Sequence, residues 1–225
     1  MSKISTPVVI VNFKSYPEVE GQRALALAIS CEEVSRESGV CIAACPPLVE
    51  LSRVASSVNI PVLAQHTDPM RPGSWTGWTT PEAAKAAGAV GTLLNHSEHK
   101  MMISEISIAV NLCRSVGLQT VVCADSVETA EACAMLKPDF IAIEPPELIG
   151  GEVSVTNAKP EIVERTVRAV RQIDDGIPVL CGAGVKTGAD VKRAIELGTR
   201  GVLLASGIVK SMDVKKSLIS LVGNI

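Results

Sequence analysis

Phe140-Ile141-Ala142-Ile143-Glu144-Pro145-Pro146-Glu147-Leu148-Ile149-Gly150-Gly151 is the stretch from which the rest of this chain can be read. Its first four residues form an unbroken apolar run after Asp139, the pattern of a strand buried on both faces, as parallel strands are. The run stops on an acid and two prolines, so Glu144 stands at a strand end. Parallel strands of α/β proteins deliver their last side chains into the crevice or barrel mouth where ligands bind, which makes an ionisable group there a catalytic candidate. The plainer alternative is a helix N-cap or a solvated strand end. Beyond Glu144, Pro145 and Pro146 stiffen one end of a short loop and Gly150 and Gly151 free the other, with apolar Leu148 and Ile149 between them. That is the composition expected of a lid.

Outward from this stretch, similar runs recur at residues 8–11, 41–45, 61–65, 91–94, 119–123, 178–181 and 201–204. Apolar residues at helical spacing alternate with them at 21–37, 48–54, 81–87, 104–115, 126–136, 160–172, 189–197 and 214–222. Thr80-Pro81 and Ser126 read as helix starts, and Gly39, Gly117 and Gly198 as helix ends. Eight strand-then-helix units in strict alternation predict a parallel sheet with right-handed crossovers. A chain of 225 residues with no linker-like tract favours one closed α/β barrel, a single (β/α)8 domain over residues 1–225, over an open doubly wound sheet.

Composition agrees with that architecture. The chain is 47% hydrophobic but only 2% aromatic, so its core has to be built from aliphatic side chains, which suit stacked parallel strands. A net charge of −3 without a basic stripe argues against nucleic acid as a partner. The N-terminus has no signal-peptide pattern and no apolar run is long enough to span a membrane, so a cytoplasmic protein with no membrane partner is expected. Seven cysteines without a C-x-x-C pair read as buried structural thiols.

The carboxyl ends of parallel strands share one face, so residues distant in sequence meet there. Collected in this way are Asn12 and Lys14, His96 and Glu98, and Glu144. A lone Lys beyond a strand is usually a solvated flank, and a lone His usually structural. An acid, an imidazole and an ammonium on one face make a stronger case together. The last two strands lead into Gly182-Ala183-Gly184 and Ala205-Ser206-Gly207, small residues that let backbone N–H groups approach an anion, in the loops where barrels of this kind hold phosphate. No metal-ligand spacing, dinucleotide fingerprint or serine nucleophile elbow is present, so neither a metal nor a cofactor is expected. Proton transfer on a phosphorylated substrate remains, with Glu144 as base and His96 and Lys14 as donors to an enolate oxygen. A turn starting at Ser97-Glu98 is expected to keep His96 neutral.

Val11-Asn12-Phe13-Lys14, Ala64-Gln65-His66, Pro72-Gly73-Ser74-Trp75-Thr76-Gly77, Leu93-Leu94-Asn95-His96-Ser97-Glu98-His99-Lys100, residues 144–150, Gly182-Ala183-Gly184-Val185 and Leu204-Ala205-Ser206-Gly207 resemble the triosephosphate isomerase family, closest to its short archaeal branch. That family is itself the type example of this barrel, of a neutral catalytic imidazole and of a closing lid, so the following roles are implied by the resemblance. It implies a TIM barrel that interconverts glyceraldehyde 3-phosphate and dihydroxyacetone phosphate. Asn12, Phe13 and Lys14 contact substrate, His96 is the electrophile and Glu144 the base. Backbone at Ile149, Gly184, Ala205 and Ser206 holds the phosphate, and Glu98 stands behind Lys14. It also implies a homo-oligomer, dimer or tetramer, with residues 66–78 at the subunit contact, where Trp75 and Trp78 are otherwise hard to place. The chain departs from the family at Gly150-Gly151-Glu152, where Gly-Thr/Ser-Gly is usual, and at Trp78. Rival readings are another phosphate-binding barrel, which shares only the paired glycine loops, and a non-catalytic scaffold, which has no need of a base.

Overall fold

The computed structural model describes residues 3–145, 155–223 and 225. The strands are β1 (Val8–Asn12), β2 (Cys41–Cys45), β3 (Leu63–Ala64), β4 (Gly91–Leu94), β5 (Gln119–Ala124), β6 (Phe140–Ile143), β7 (Val179–Cys181) and β8 (Gly201–Leu204). All pair in parallel within one sheet, in the order β2-β1-β8-β7-β6-β5-β4-β3. The two ends of that order meet through a parallel bridge between Ala44 and Val62, where the Ala44 N–H donates to the Pro61 carbonyl at 3.0 Å. The sheet is thereby an (β/α)8 barrel, as the alternation predicts. β3 is shorter than the expected 61–65: its ladder with β4 pairs only Leu63 and Ala64 with Gly91 and Thr92, Val62 contributes a single bridge to Ala44, and Pro61 has no N–H to give to a ladder.

The principal helices are α1 (Gln22–Ser38), α2 (Leu51–Ser57), α3 (Pro81–Ala86), α4 (Ile103–Ser115), α5 (Val127–Ala134), α6 (Val155–Ala158), α7 (Pro160–Ile173), α8 (Gly188–Glu196), α9 (Ser206–Val209) and α10 (Val214–Val222). Their ends follow local chemistry. The Thr80 and Ser126 hydroxyls accept from the amides of Ala83 and Thr129, and Gly39 closes α1 in the left-handed conformation at φ 74°. The one-turn helices α6 and α9 were not anticipated, since four residues are too few to show a helical period.

Period-two alternation divides the core. Val8 and Ile10 pack with Ala43, Leu63, Leu93, Val121, Phe140, Ala142, Leu180 and Leu203, a cluster drawn from all eight strands that fills the barrel. Val9 and Val11 face the other way, against Leu27, Val54 and Leu218 of the surrounding helices. Six of the seven cysteines are buried in these layers, Cys41 partly so, and all are free thiols.

β1 and β8 approach closely at Gly201. A Cβ there would lie 2.1 Å from the Val8 carbonyl oxygen, on a backbone held at φ 143°. Gly201→Ala is therefore expected to destabilise the fold by at least about 3 kcal/mol or to prevent folding. Gly39→Ala meets nothing within 4 Å and carries only the left-handed penalty, about 1 kcal/mol. Urea unfolding of the two variants checks the contrast, and equal destabilisation would contradict it.

Candidate active site

The inward alternation of the strands continues past their ends. Asn12 lies two residues beyond Ile10, Gln65 two beyond Leu63, Glu144 two beyond Ala142 and Gly182 two beyond Leu180, so each stands at the barrel mouth. A cleft of about 40 Å³ is lined there by Asn12, Lys14, His96, Glu144, Gly184 and Ser206, among others. It adjoins a recess of about 720 Å³ that shares Asn12, Lys14, Tyr16 and His96 and extends to Glu98, His66, His99 and Trp78.

Glu144 is 3% exposed. Its backbone N–H donates to the Ala124 carbonyl at 2.7 Å, continuing the β5–β6 ladder by one residue. Its side chain lies across Gly182, where a Cβ would come within 2.5 Å of Glu144 Cγ. Gly182 is thus required for the carboxylate to occupy its place, in addition to lining the cleft with the phosphate-type loop assigned to it. Burial pushes the Glu144 carboxyl up to about 7, opposed by the Cys123 thiol and the Lys14 ammonium. Its Oε2 is buried without a hydrogen-bond partner among the described residues, an acceptor left open beside the cleft.

His96 Nε2 is 3.6 Å from Glu144 Oε1. Nδ1 accepts from the Glu98 backbone amide at 3.1 Å, which places the ring proton on Nε2, toward the carboxylate. Burial first, then Lys14, pushes the imidazole down to about 4, with Glu98 opposing. A neutral imidazole beside a turn is what the sequence led one to expect, and His96 to His99 forms a single hydrogen-bonded turn, with α4 starting only at Ile103. The first cause of the lowered pKa is burial, which the sequence did not show.

Lys14 adopts a left-handed backbone at φ 52°. Such a conformation is unfavourable for lysine and needs support. Asn12 Oδ1 accepts its N–H at 3.0 Å, and Gln65 Nε2 donates to its carbonyl at 3.0 Å and to Asn12 Oδ1 at 3.2 Å. Lys14 Nζ pairs with Glu98 Oε1 at 2.7 Å. The supporting role of Gln65 was not foreseen from the sequence; its inward place two residues after Leu63 was the available signal. The Phe13 side chain is fully buried among the helix-side residues and does not line the cleft.

The two small-residue loops converge. Gly184, left-handed at φ 68°, lines the cleft with Ala205 and with Ser206, the first residue of α9. A Cβ on Gly207 would lie 3.2 Å from the Lys186 Cα, so these loops pack backbone to backbone. Residues 146–154, which include Ile149 and most of the expected lid, lie outside the described residues. Among the described residues no group of three His, Cys, Asp or Glu side chains is placed to hold a metal ion, and no helix is long and apolar enough to cross a membrane.

Residues 7–222 match the family model described as triosephosphate isomerase. The chain belongs to the triosephosphate isomerase family. Triosephosphate isomerase of Methanobacterium bryantii is 52% identical over 220 residues, spanning 98% of this chain and 97% of that protein. The Methanocaldococcus jannaschii protein of the same name is 48% identical over 215 residues, with 96% and 98% covered, and that of Methanothermus fervidus 50% over 216 residues, with 96% and 97% covered. The family resemblance read from the motifs thus extends over nearly the whole chain.

Burial of Glu144 in this triosephosphate isomerase fold has a consequence for stability. Its folded pKa, about 7, lies above its ordinary value of 4.5, so its contribution is most favourable below pH 4.5 and is lost as pH rises through 7. Glu144→Gln, which cannot ionise, is expected to be more stable than the unsubstituted protein by roughly 1–3 kcal/mol at pH 8, the difference vanishing near pH 4.5. Denaturant unfolding of both proteins from pH 4.5 to 8.5 checks this, and a pH-independent difference would refute it.

Proposed function

We propose that the chain is an aldose-ketose isomerase interconverting glyceraldehyde 3-phosphate and dihydroxyacetone phosphate, a cytoplasmic step of glycolysis and gluconeogenesis. The observation that carries this reading is the pair at the barrel mouth: a buried carboxylate whose pKa is raised to about 7, 3.6 Å from a neutral imidazole with its N–H toward it. A general base is most effective with its pKa near the working pH. Glu144 removes the proton from the carbon next to the carbonyl. The C–H electron pair becomes the C=C bond of an enediolate, and the negative charge develops on the former carbonyl oxygen. His96 Nε2–H and Lys14 Nζ donate to that oxygen, and they are already in place before charge develops. The protonated Glu144 then returns its proton to the neighbouring carbon while the hydroxyl proton shifts between the two oxygens. Every step uses groups of the chain itself.

Asn12 and Lys14 hold the substrate on one side, with Glu98 orienting the ammonium. Backbone at Gly184, Ala205 and Ser206 binds the phosphate, because amides at the first turn of a helix have no intrahelical acceptor. Phe13 acts through the backbone it anchors, its side chain being in the core. Ile149, outside the described residues, is the further amide that the family resemblance implies for the phosphate.

In a coupled assay with glyceraldehyde 3-phosphate, Glu144→Gln is expected to lower kcat by about 10²–10⁴-fold with little change in KM. A variant that keeps more than about a tenth of the original kcat would remove Glu144 from the mechanism.

We propose further that the protein is a homo-oligomer, dimer or tetramer. Residues 66–80 form an arm closed at its base by Asp68, whose N–H donates to the Thr79 carbonyl at 2.7 Å and whose Oδ2 accepts the Thr79 N–H at 2.6 Å. His66 also bonds Asp68, at 3.1 Å, and stacks on His99. Residues 71–78 of the arm are exposed, and Trp75 and Trp78 are 49% and 56% accessible in the single chain. Two indoles on one closed arm suit a surface covered by a second copy. Light scattering at micromolar protein is expected to show an oligomer; a fully active monomer would exclude this assembly.

A further inference from the structure

We infer that Asn95 is a positioning residue that holds His96 at its distance from Glu144. The inference builds on the isomerase reading above and deepens it. Asn95 is the first residue after β4 and the inward one, two beyond Leu93. It is 4% exposed and left-handed, at φ 56°. Both halves of its amide are used. Nδ2 donates to the Cys123 carbonyl of β5 at 2.9 Å, and Oδ1 accepts the Met101 N–H at 2.9 Å. The last β4–β5 pair is Leu94 with Val122, so Cys123 lies one residue past the ladder, and the side chain supplies a donor where the strand has turned away. The second bond ties residue 95 to residue 101 and closes the His96 loop on itself.

Within that closed loop, His96 is held by the Glu98 amide on Nδ1 and by the 2.7 Å bond from the His99 N–H to its own carbonyl. The link also reaches the base. Cys123, whose carbonyl takes the Asn95 donor, has its thiol against the Glu144 carboxyl group. One side chain therefore spans the strand beneath the carboxylate and both ends of the loop that carries the imidazole. Few residues can do this. Glycine and Asp share Asn's tolerance of the left-handed region, but glycine has no side-chain bonds and an ionised Asp has no donor for a carbonyl. A residue that only terminated β4 would affect stability and leave the spacing of His96 and Glu144 unchanged.

Two variants separate these roles. Asn95→Gly keeps the backbone and removes both bonds; Asn95→Asp keeps the backbone and the acceptor for Met101 but sets an oxygen against the Cys123 carbonyl. Each is compared with the original protein for circular dichroism, kcat, KM and the ring 15N signals of His96. In each folded variant kcat is expected to fall by about 10–100-fold, as for a misplaced catalytic group, with KM within about twofold and the His96 ring signals shifted. Unchanged kcat and unshifted ring signals in either folded variant overturn the proposal, and so does failure of both variants to fold, which would make Asn95 a folding residue. If the original protein shows no isomerase activity, the functional reading fails on its own. The His96 ring signals still decide Asn95 in that case, since they are recorded without substrate.

Discussion

A closed sheet of eight parallel strands has to fill its own interior, and it can do so only with alternate side chains from every strand. In this protein that constraint fixes more than the core. Val8, Ile10 and Asn12 form one inward stripe, Leu63 and Gln65 another, Leu93 and Asn95 a third, and Phe140, Ala142 and Glu144 a fourth. Below the mouth the stripes are apolar and mutually packed; at the mouth each turns polar. The site is the top of the packing pattern.

The proposed chemistry comes from placing Glu144 and His96 on that upper layer with little access to solvent. Burial raises the Glu144 carboxyl and lowers the His96 imidazole, so the carboxylate gains proton affinity and the imidazole loses its charge. A carboxylate beside an imidazolium would form an ion pair with little tendency to abstract a proton. Burial prevents this first, and Lys14 adds a cation that disfavours a second one nearby, while Glu98 pairs with the ammonium. The arrangement costs stability, because a partly charged carboxylate lies against a barrel strand with one oxygen unpartnered among the described residues. Backbone strain at Lys14 and Asn95 adds to that cost, and the amides of Asn12, Gln65 and Asn95 offset it by pairing with the strained segments.

Much of this was legible before any coordinates. The helix spans 103–115, 160–173 and 214–222 match expectation to within a residue, because caps and apolar periods are local signals. β3 was overextended, since a run such as Pro61–Gln65 does not reveal where the barrel closes. Glu144, His96 and Lys14 could be gathered from strand ends alone. Gly182 could not be separated from Gly184 by sequence: one glycine gives room to a carboxylate and the other takes a left-handed turn beside the cleft.

The sequence by itself determined the alternation of strands and helices, the inward stripes and therefore which residues reach the mouth, because each depends on spacing within about ten neighbouring residues. Only the tertiary structure decided the 3.6 Å between His96 and Glu144, the tautomer of the imidazole, and the supporting bonds from Gln65 and Asn95. The His96–Glu144 contact and the bonds of Asn95 to Cys123 and of Gln65 to Asn12 and Lys14 join residues 28 to 53 positions apart. Their distances are set by strand register and barrel closure, and no local pattern in a chain records either.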